Sequence, residues 1–343
     1  GAGTRLTPQP GTHVVTVAPG GRYAVDRHTT ATQPPVTTLL SLAAPGAPRA
    51  VRVLEDNARL RAALSALAVR PPQFFQIPMP DGVALNAYRI VPADFDSTRR
   101  YPVLMYVYGG PGSQTVTDDY GGDRYLWHQL LAQHGVVVVS VDGRGTGARG
   151  AAFKHAVYMK LGQRESDDQI SAARWLARQS WVDASRIGIW GWSYGGYMAA
   201  LTAFRGGPLF RAAISVAPVT DWRLYDDIYT ERYMRRPIDN PDGYTRGAAQ
   251  HYVDGLTARY LLIHGTGDDN VHPQNSIQLA ARLEEAGKLF DMVLYPNRTH
   301  AIAGGNTRTH LFDTLTRFID ESLIGNPPAG TPAAASAART SSR

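Results

Sequence analysis

Cysteine is absent from all 343 residues, which excludes disulfides, thiolate zinc sites and a cysteine nucleophile and leaves the redox compartment open. Long apolar runs are missing as well. No window approaches the ~18 uninterrupted apolar residues of a membrane-spanning helix. The first residues, Gly1-Ala2-Gly3-Thr4-Arg5, lack the basic stretch and apolar core of a signal peptide. Basic clusters are scarce: the net charge of +6 comes from scattered arginines, with no Lys/Arg run interleaved with aromatics, which argues against a nucleic-acid partner. The 43% hydrophobic and 19% charged residues describe a globular chain with a sizeable core. Its length suits one large α/β domain plus a smaller unit, or two ordinary domains.

Residues 1–54 read as all-β. His13–Val17, Tyr23–Asp26, Val36–Leu40 and Val51–Leu54 are short extended runs. Pro19-Gly20-Gly21, Gln33-Pro34-Pro35 and Pro45-Gly46-Ala47-Pro48 separate them as turn signals. Four such strands make one antiparallel sheet, the unit of a β-propeller blade, and one blade cannot bury its own face. Residues 55–100 follow as a connector. Leucines at 60, 64 and 67 predict a helix within Asp56–Leu67, and two strands flank the hairpin turn Asp81-Gly82.

From Tyr101 to about 325 apolar runs alternate with helical stretches. The expected strands are Val103–Tyr108, Val136–Val141, Ile187–Trp190, Ala212–Val216, Tyr260–His264 and Met292–Tyr295. Their near-continuous apolarity is that of a parallel sheet covered on both faces. Helices are expected at Leu126–Gln133, Asp167–Gln179, Tyr197–Phe204, Pro273–Glu285 and His310–Leu323. The fold class is therefore α/β, a doubly wound, mostly parallel sheet preceded by an antiparallel β segment. The Ala/Pro/Ser-rich tail, 326–343, reads as disordered.

Gly191-Trp192-Ser193-Tyr194-Gly195 fits G-x-S-x-G, directly after an apolar strand and directly before a helix. That is the context of a nucleophile elbow, in which a strained turn lifts the serine Oγ clear of the sheet. A serine nucleophile needs a base, and the base needs a carboxylate to hold its tautomer. The strand Tyr260–His264 ends in the acidic loop Gly265-Thr266-Gly267-Asp268-Asp269-Asn270, and the next leads into Pro296-Asn297-Arg298-Thr299-His300. Serine, acid and histidine thus arrive in the chain order of α/β-hydrolases. Among ten histidines, His264 lies on a strand, His310 inside the last helix and His272 beside the acid, so His300 is the candidate base. Spacing does not choose between Asp268 and Asp269.

One motif points elsewhere. Gly145-Thr146-Gly147-Ala148-Arg149-Gly150 fits G-x-G-x-x-G after a strand, but Ala151-Ala152-Phe153-Lys154-His155 is a poor start for the apolar helix a dinucleotide site needs. The run reads as a loop. Trp222, Tyr225 and Tyr229 recur at helical spacing, a stripe that by itself reads as core more readily than as a pocket.

These residues resemble the prolyl oligopeptidase family of serine peptidases, in its dipeptidyl peptidase IV branch. The likeness runs from the first strands to about Leu323. It rests on Arg52-Val53-Leu54-Glu55-Asp56-Asn57, Val107-Tyr108-Gly109-Gly110-Pro111, Asp142-Gly143-Arg144-Gly145-Thr146-Gly147 and Trp190 to Tyr197. Tyr229-Thr230-Glu231-Arg232-Tyr233-Met234 and His264 to His272 complete it. The resemblance implies an α/β-hydrolase fold carrying the last blade of a propeller. It implies a triad of Ser193, Asp268 and His300, with the Tyr108 hydroxyl and the Tyr194 backbone N–H facing the oxyanion. Val219, Trp222, Tyr225, Tyr229 and Val271, with Tyr194, become walls for a penultimate proline or alanine, and Asn270 binds a substrate carbonyl. No cofactor or metal is called for.

The implied activity is release of N-terminal dipeptides ending in Pro or Ala. An acylaminoacyl peptidase, a prolyl endopeptidase or an esterase is the alternative within the family. A non-catalytic scaffold would have lost a member of the triad. The implied partners are a peptide substrate and a second copy of the chain, a homodimer through the hydrolase domain, and bacterial relatives suggest a periplasmic or secreted setting. Two departures stand out. Ala301 follows His300 where the family has glycine, and no segment matches the propeller glutamates that hold a substrate amine. The expectation is a C-terminal piece of a longer enzyme.

Overall fold

In this computed structural model, residues 5–43 and 48–325 are described. Residues 45–47 of the turn expected at Pro45–Pro48, and the tail 326–343, lie outside them. Strands β1 (Thr12–Val17), β2 (Tyr23–Thr30), β3 (Gln33–Ser41) and β4 (Arg49–Glu55) form a four-stranded antiparallel meander. One expectation fails here: Gln33-Pro34-Pro35 opens β3, and the turn sits at Ala31-Thr32. A proline cannot donate to a ladder. The pair is tolerated because it falls at a bulge in the β2–β3 register, between His28 and Thr30, and ahead of Thr37, where pairing with β4 begins. The outer strands remain open, and Val14, Val17 and Val53 are each 54% exposed.

Helix α1 (Ala58–Ser65) follows, shorter than the leucine spacing suggests. Only Leu64 is buried, while Leu60 and Leu67 face outward, so packing of one residue limits the helix. Hairpin β5 (Gln73–Pro78) and β6 (Ala84–Ile90) turns at Asp81-Gly82 and joins the large sheet at its edge.

That sheet has eight strands. After β6 come β7 (Tyr101–Tyr106), β8 (Val137–Asp142), β9 (Val182–Trp192), β10 (Ala212–Val216), β11 (Arg259–Gly265) and β12 (Asp291–Tyr295). Their order is β12-β11-β10-β9-β7-β8-β6-β5, parallel from β12 to β8 and antiparallel in the hairpin. This is the α/β-hydrolase architecture.

Alternation decides which residues face which layer. Met105, Val139 and Ile189 point to one face, under α4 (Gln163–Leu176), α5 (Tyr194–Gly206) and α8 (Gln274–Glu285). Leu104, Val138, Trp190 and Ile263 point to the other, under α2 (Gly122–Gln133) and α9 (Thr307–Ile319). Both faces are dry, which explains strands that read as solid apolar runs.

The remaining helices are short: α3 (Ala151–His155), α6 (Asp227–Met234) and α7 (Pro241–Gly247). Gly150 does open a helix, but α3 has five residues and buries none of them, so it pins no phosphate-binding turn to the sheet. The expected last helix, His310–Leu323, is α9 followed by a π-helical turn, Asp320–Ile324. The meander leans on the hydrolase through one segment. Asp118 accepts hydrogen bonds from Thr12 Oγ1 (2.8 Å, at its carbonyl) and the Ala31 N–H (2.8 Å, at its side chain), and the Tyr120 N–H donates to Thr29 Oγ1.

Candidate active site

Ser193 stands between β9 and α5 with φ 59° and ψ −122°, a left-handed conformation that side chains rarely adopt. Neighbours over-determine it. The Ser193 N–H donates to the Val216 carbonyl at 2.8 Å, and its own carbonyl accepts from the Tyr197 N–H. A Cβ on Gly191 would come within 2.3 Å of the Gly195 backbone, and one on Gly195 within 2.2 Å of the Val107 carbonyl oxygen. Strand, helix and the β7 end meet so closely that only glycine fits at either position. Tyr194 is the first residue of α5, where the backbone N–H groups have no partner inside the helix.

The candidate acid and base lie on loops after β11 and β12. Asp268 is 7% exposed. Its Oδ2 is 2.8 Å from His300 Nδ1, and its Oδ1 accepts from the backbone N–H groups of Asn270 and Val271, both at 2.9 Å. His264 Nε2, fully buried on β11, lies 3.1 Å from the same Oδ2. Burial alone would raise this carboxyl; the bonds from His264, His300 and the Asn270 N–H overcome it and hold Asp268 well below the usual range. Asp269 is exposed and, among the described residues, accepts from the His300 backbone N–H alone, at 3.3 Å. The His300 loop is tied down further by Trp192 Nε1, which donates to the His300 carbonyl at 3.1 Å.

Ser193 and His300 line one cavity of about 610 Å³, with Tyr108 and Asn270 also on its walls. No hydrogen bond joins Ser193 Oγ to His300 among the described residues, a gap common in sites without substrate. Tyr108 is half-buried, and burial raises its phenol, keeping it a hydroxyl donor. The loop after Tyr108 is anchored from behind, because the buried Asp142 carboxylate accepts from the Thr115 and Val116 N–H groups.

The aromatic stripe is not one helix. Trp222 sits in a 3-10 turn capped by Asp221, Tyr225 is extended, and Tyr229 lies in α6, whose N-terminus Asp226 caps by accepting from the Tyr229 N–H. The two aspartates break the helical spacing into separate turns. The rings still converge. Trp222 lies 5.4 Å from Tyr194, 5.9 Å from Tyr225 and 5.9 Å from Tyr229, ring centre to ring centre, and Tyr194 lies 6.0 Å from Tyr108. Tyr225 donates to Asn270 Oδ1 at 2.8 Å. Val219 and Val271 are buried, and none of Val219, Trp222, Tyr225, Tyr229 and Val271 lines the cavity that holds Ser193.

Sequence reasoning missed several participants. His264 reads as a strand residue, yet its Nε2 lies 3.1 Å from Asp268 Oδ2. Glu165, on α4, is buried, and its Oε1 accepts from the Tyr194 hydroxyl at 2.8 Å. Burial pushes the Glu165 carboxyl up to about 8. Nothing in its local sequence distinguishes it from a surface glutamate. The carboxylate–imidazole pair, the strained serine and the enclosed phenol together can carry acyl transfer through a nucleophile, a general base and an oxyanion donor. Among the described residues no group of three or more His, Asp or Glu side chains is placed to hold a metal, and no helix is long and apolar enough to cross a membrane.

A family model described as the prolyl oligopeptidase family matches residues 125–325. A probable dipeptidyl-aminopeptidase B from Coccidioides posadasii is 42% identical over 251 residues, covering 71% of this chain and 27% of its own. The mouse protein named prolyl endopeptidase FAP is 40% identical over 275 residues, covering 79% of this chain and 36% of its own. The crystal structure of Porphyromonas gingivalis dipeptidyl peptidase 4 superposes with a TM-score of 0.88 at 43% identity, covering 93% of this chain and 45% of that one. The chain thus spans from about a quarter to just under half of the length of these relatives.

Proposed function

The chain belongs to the prolyl oligopeptidase family, and on that premise we propose that it is the catalytic part of a dipeptidyl peptidase IV-type serine exopeptidase. It releases N-terminal dipeptides with Pro or Ala in second place. The observation that carries this reading is the 2.8 Å contact of Asp268 with His300 beside the strained Ser193.

In the proposed mechanism Ser193 Oγ turns toward His300 Nε2 as substrate arrives. His300 takes the Oγ proton while Oγ forms a bond to the scissile carbonyl carbon. Charge moves to the carbonyl oxygen, where the Tyr108 hydroxyl and the Tyr194 N–H stabilise it, by about 3 kcal/mol per donor. His300 then gives its proton to the leaving nitrogen as the C–N bond breaks. Water, deprotonated by the same imidazole, attacks the ester carbonyl, and His300 returns that proton to Ser193 Oγ as the C–Oγ bond breaks and the dipeptide acid leaves. Asp268 holds the Nδ1–H tautomer throughout. Val219, Trp222, Tyr225, Tyr229 and Val271 would enclose the flat proline ring with aromatic and aliphatic faces, and Asn270 would bind a substrate carbonyl. We read the β1–β4 meander as the last blade of a propeller, 55–100 as its connector and 101–325 as the hydrolase domain. A homodimer through the hydrolase domain is the assembly that goes with this reading.

The test is hydrolysis of Gly-Pro-p-nitroanilide against its N-acetyl form, with Ser193→Ala as control. Turnover of the free amine alone, lost in Ser193→Ala, is the expected result. The name of the mouse relative favours a second reading, cleavage after an internal proline. Preference for the acetylated substrate would move the assignment there, and residual turnover in Ser193→Ala above about one part in a thousand would remove Ser193 as nucleophile.

A further inference from the structure

In serine acyl transfer the base must reach both the nucleophile and the leaving nitrogen, so the leaving peptide lies on the histidine side of the serine. Here that side is the cavity holding Ser193. Trp192 and His300 form its near walls, and it extends to Arg124 and Arg308. The aromatic cluster proposed for the acyl side packs on Tyr194 instead. At about 610 Å³ the cavity has room for a residue or two of peptide.

The two guanidinium groups are held, not free. Arg308 donates through Nη1 to the Ala301 carbonyl at 2.6 Å, next to the base, and its guanidinium lies 5.0 Å from the centre of the Trp192 ring and 5.7 Å from that of Phe312. Arg124 lies 4.8 Å from the Tyr106 ring centre. One charge is paired at the long end of ion-pair distance and, among the described residues, the other is not paired. The carboxylate nearest Arg308 is Asp123, at 3.9 Å from Nε, and Arg124 takes part in no ion pair among the described residues. Asp269 is the one carboxylate on the same walls, and it accepts from the His300 N–H. On the cavity walls two stacked cations face one acid, while Asp123 lies off those walls and reaches Arg308 only at 3.9 Å, so this end of the cleft keeps a positive excess. A guanidinium ordered by stacking loses little freedom on meeting a carboxylate and presents a planar fork to it.

We infer that Arg124 and Arg308 make the leaving side of the cleft selective for peptides carrying a carboxylate side chain directly after the scissile bond. This rests on the dipeptidyl reading for its assay, and the controls separate the two. The specificity constants kcat/KM are measured for Gly-Pro-Glu-Ala-amide, Gly-Pro-Ala-Ala-amide and Gly-Pro-Lys-Ala-amide, alongside Gly-Pro-p-nitroanilide, which carries no residue on the leaving side.

The Glu substrate is expected to exceed the Lys substrate about tenfold at low ionic strength, with Ala between them and the ratio shrinking toward one in ~0.5 M salt. Arg308→Gln and Arg124→Gln each reduce the ratio severalfold. The ratio is internal to each variant, so a loss of folded protein cancels from it. Turnover of the anilide with a Glu/Lys ratio within twofold overturns the inference, as does a ratio that survives both substitutions. If the anilide is not cleaved, the dipeptidyl reading fails. The comparison then moves to acetate esters of phenols bearing a carboxylate or a trimethylammonium group, each rate divided by its alkaline hydrolysis rate. A carboxylate preference lost in the arginine variants supports the inference there, and its absence overturns it.

Discussion

Replacing Asp268 by Asn removes a charge while leaving the shape in place, and the consequences differ for the two oxygens. The retained Oδ1 still accepts from the Asn270 and Val271 N–H groups, each at 2.9 Å. The new NH2 stands where Oδ2 faced His300 Nδ1 at 2.8 Å and His264 Nε2 at 3.1 Å. An amide donating to Nδ1 forces the proton of a neutral imidazole onto Nε2, the atom that must accept from Ser193. The expected fall in kcat is on the order of 10⁴, or about 5.5 kcal/mol of barrier. The fold loses the Oδ2 contact with His264 Nε2, whose proton keeps the Val271 carbonyl at 2.9 Å, and the charge assistance in the bonds to Oδ1, about 1–3 kcal/mol in all.

The assay pairs kcat on Gly-Pro-p-nitroanilide with urea unfolding of the same preparation. A loss of kcat below tenfold, in protein that remains folded, would refute the assignment. Asp269→Asn, touching only a backbone N–H at 3.3 Å, is the matched comparison and costs less than about fivefold. Acid provides an independent check. The native Asp268 carboxyl sits below its unfolded value of 3.8, so its stabilisation is full above that value and is lost as pH falls beneath it. In Asp268→Asn that part of the acid slope disappears.

Tyr108→Phe should lower kcat about a hundredfold with little change in KM, since it removes a donor that acts on developing charge; a change confined to KM takes Tyr108 out of the oxyanion site. Gly195→Ala places a methyl 2.2 Å from the Val107 carbonyl oxygen and should cost about 3 kcal/mol or more, whereas an unchanged unfolding midpoint would show that the elbow can open without cost. Glu165 titrates near 8 in the fold and near 4.5 unfolded. It is therefore neutral when folded and ionised when unfolded across that interval, and its share of stability falls by about 1.4 kcal/mol per pH unit as pH rises through it. Glu165→Gln should flatten the stability profile between pH 5 and 8, and an identical slope in both proteins would contradict a neutral Glu165.

The parallel strands, the helices between them and the order Ser193, Asp268, His300 are written in local pattern: β-branched apolar runs, amphipathic spacing and the small residues around one serine. Such signals are carried by neighbours in the chain, so the α/β-hydrolase class was legible before any contact was known. Other features depend on residues far apart in sequence. Spacing left Asp268 and Asp269 equal. What separates them is the pair of N–H groups and the two imidazoles that the fold brings to Asp268 alone. The prolines of β3 read as a turn because the partner strand that accommodates their bulge is not visible in a local window. Trp222, Tyr225 and Tyr229 suggested one helix, and two capping aspartates divided it while tertiary packing still gathered the rings. Glu165 meets Tyr194 only because α4 packs across the start of α5. Arg124 and Arg308, 184 residues apart in number (308 − 124), share a wall only because α2 and α9 cover the same face of the sheet. Periodicity and turn chemistry are short-range properties that a sequence states directly, whereas burial, convergence of charge and the choice among equivalent side chains are set by contacts that exist only once the chain has closed on itself.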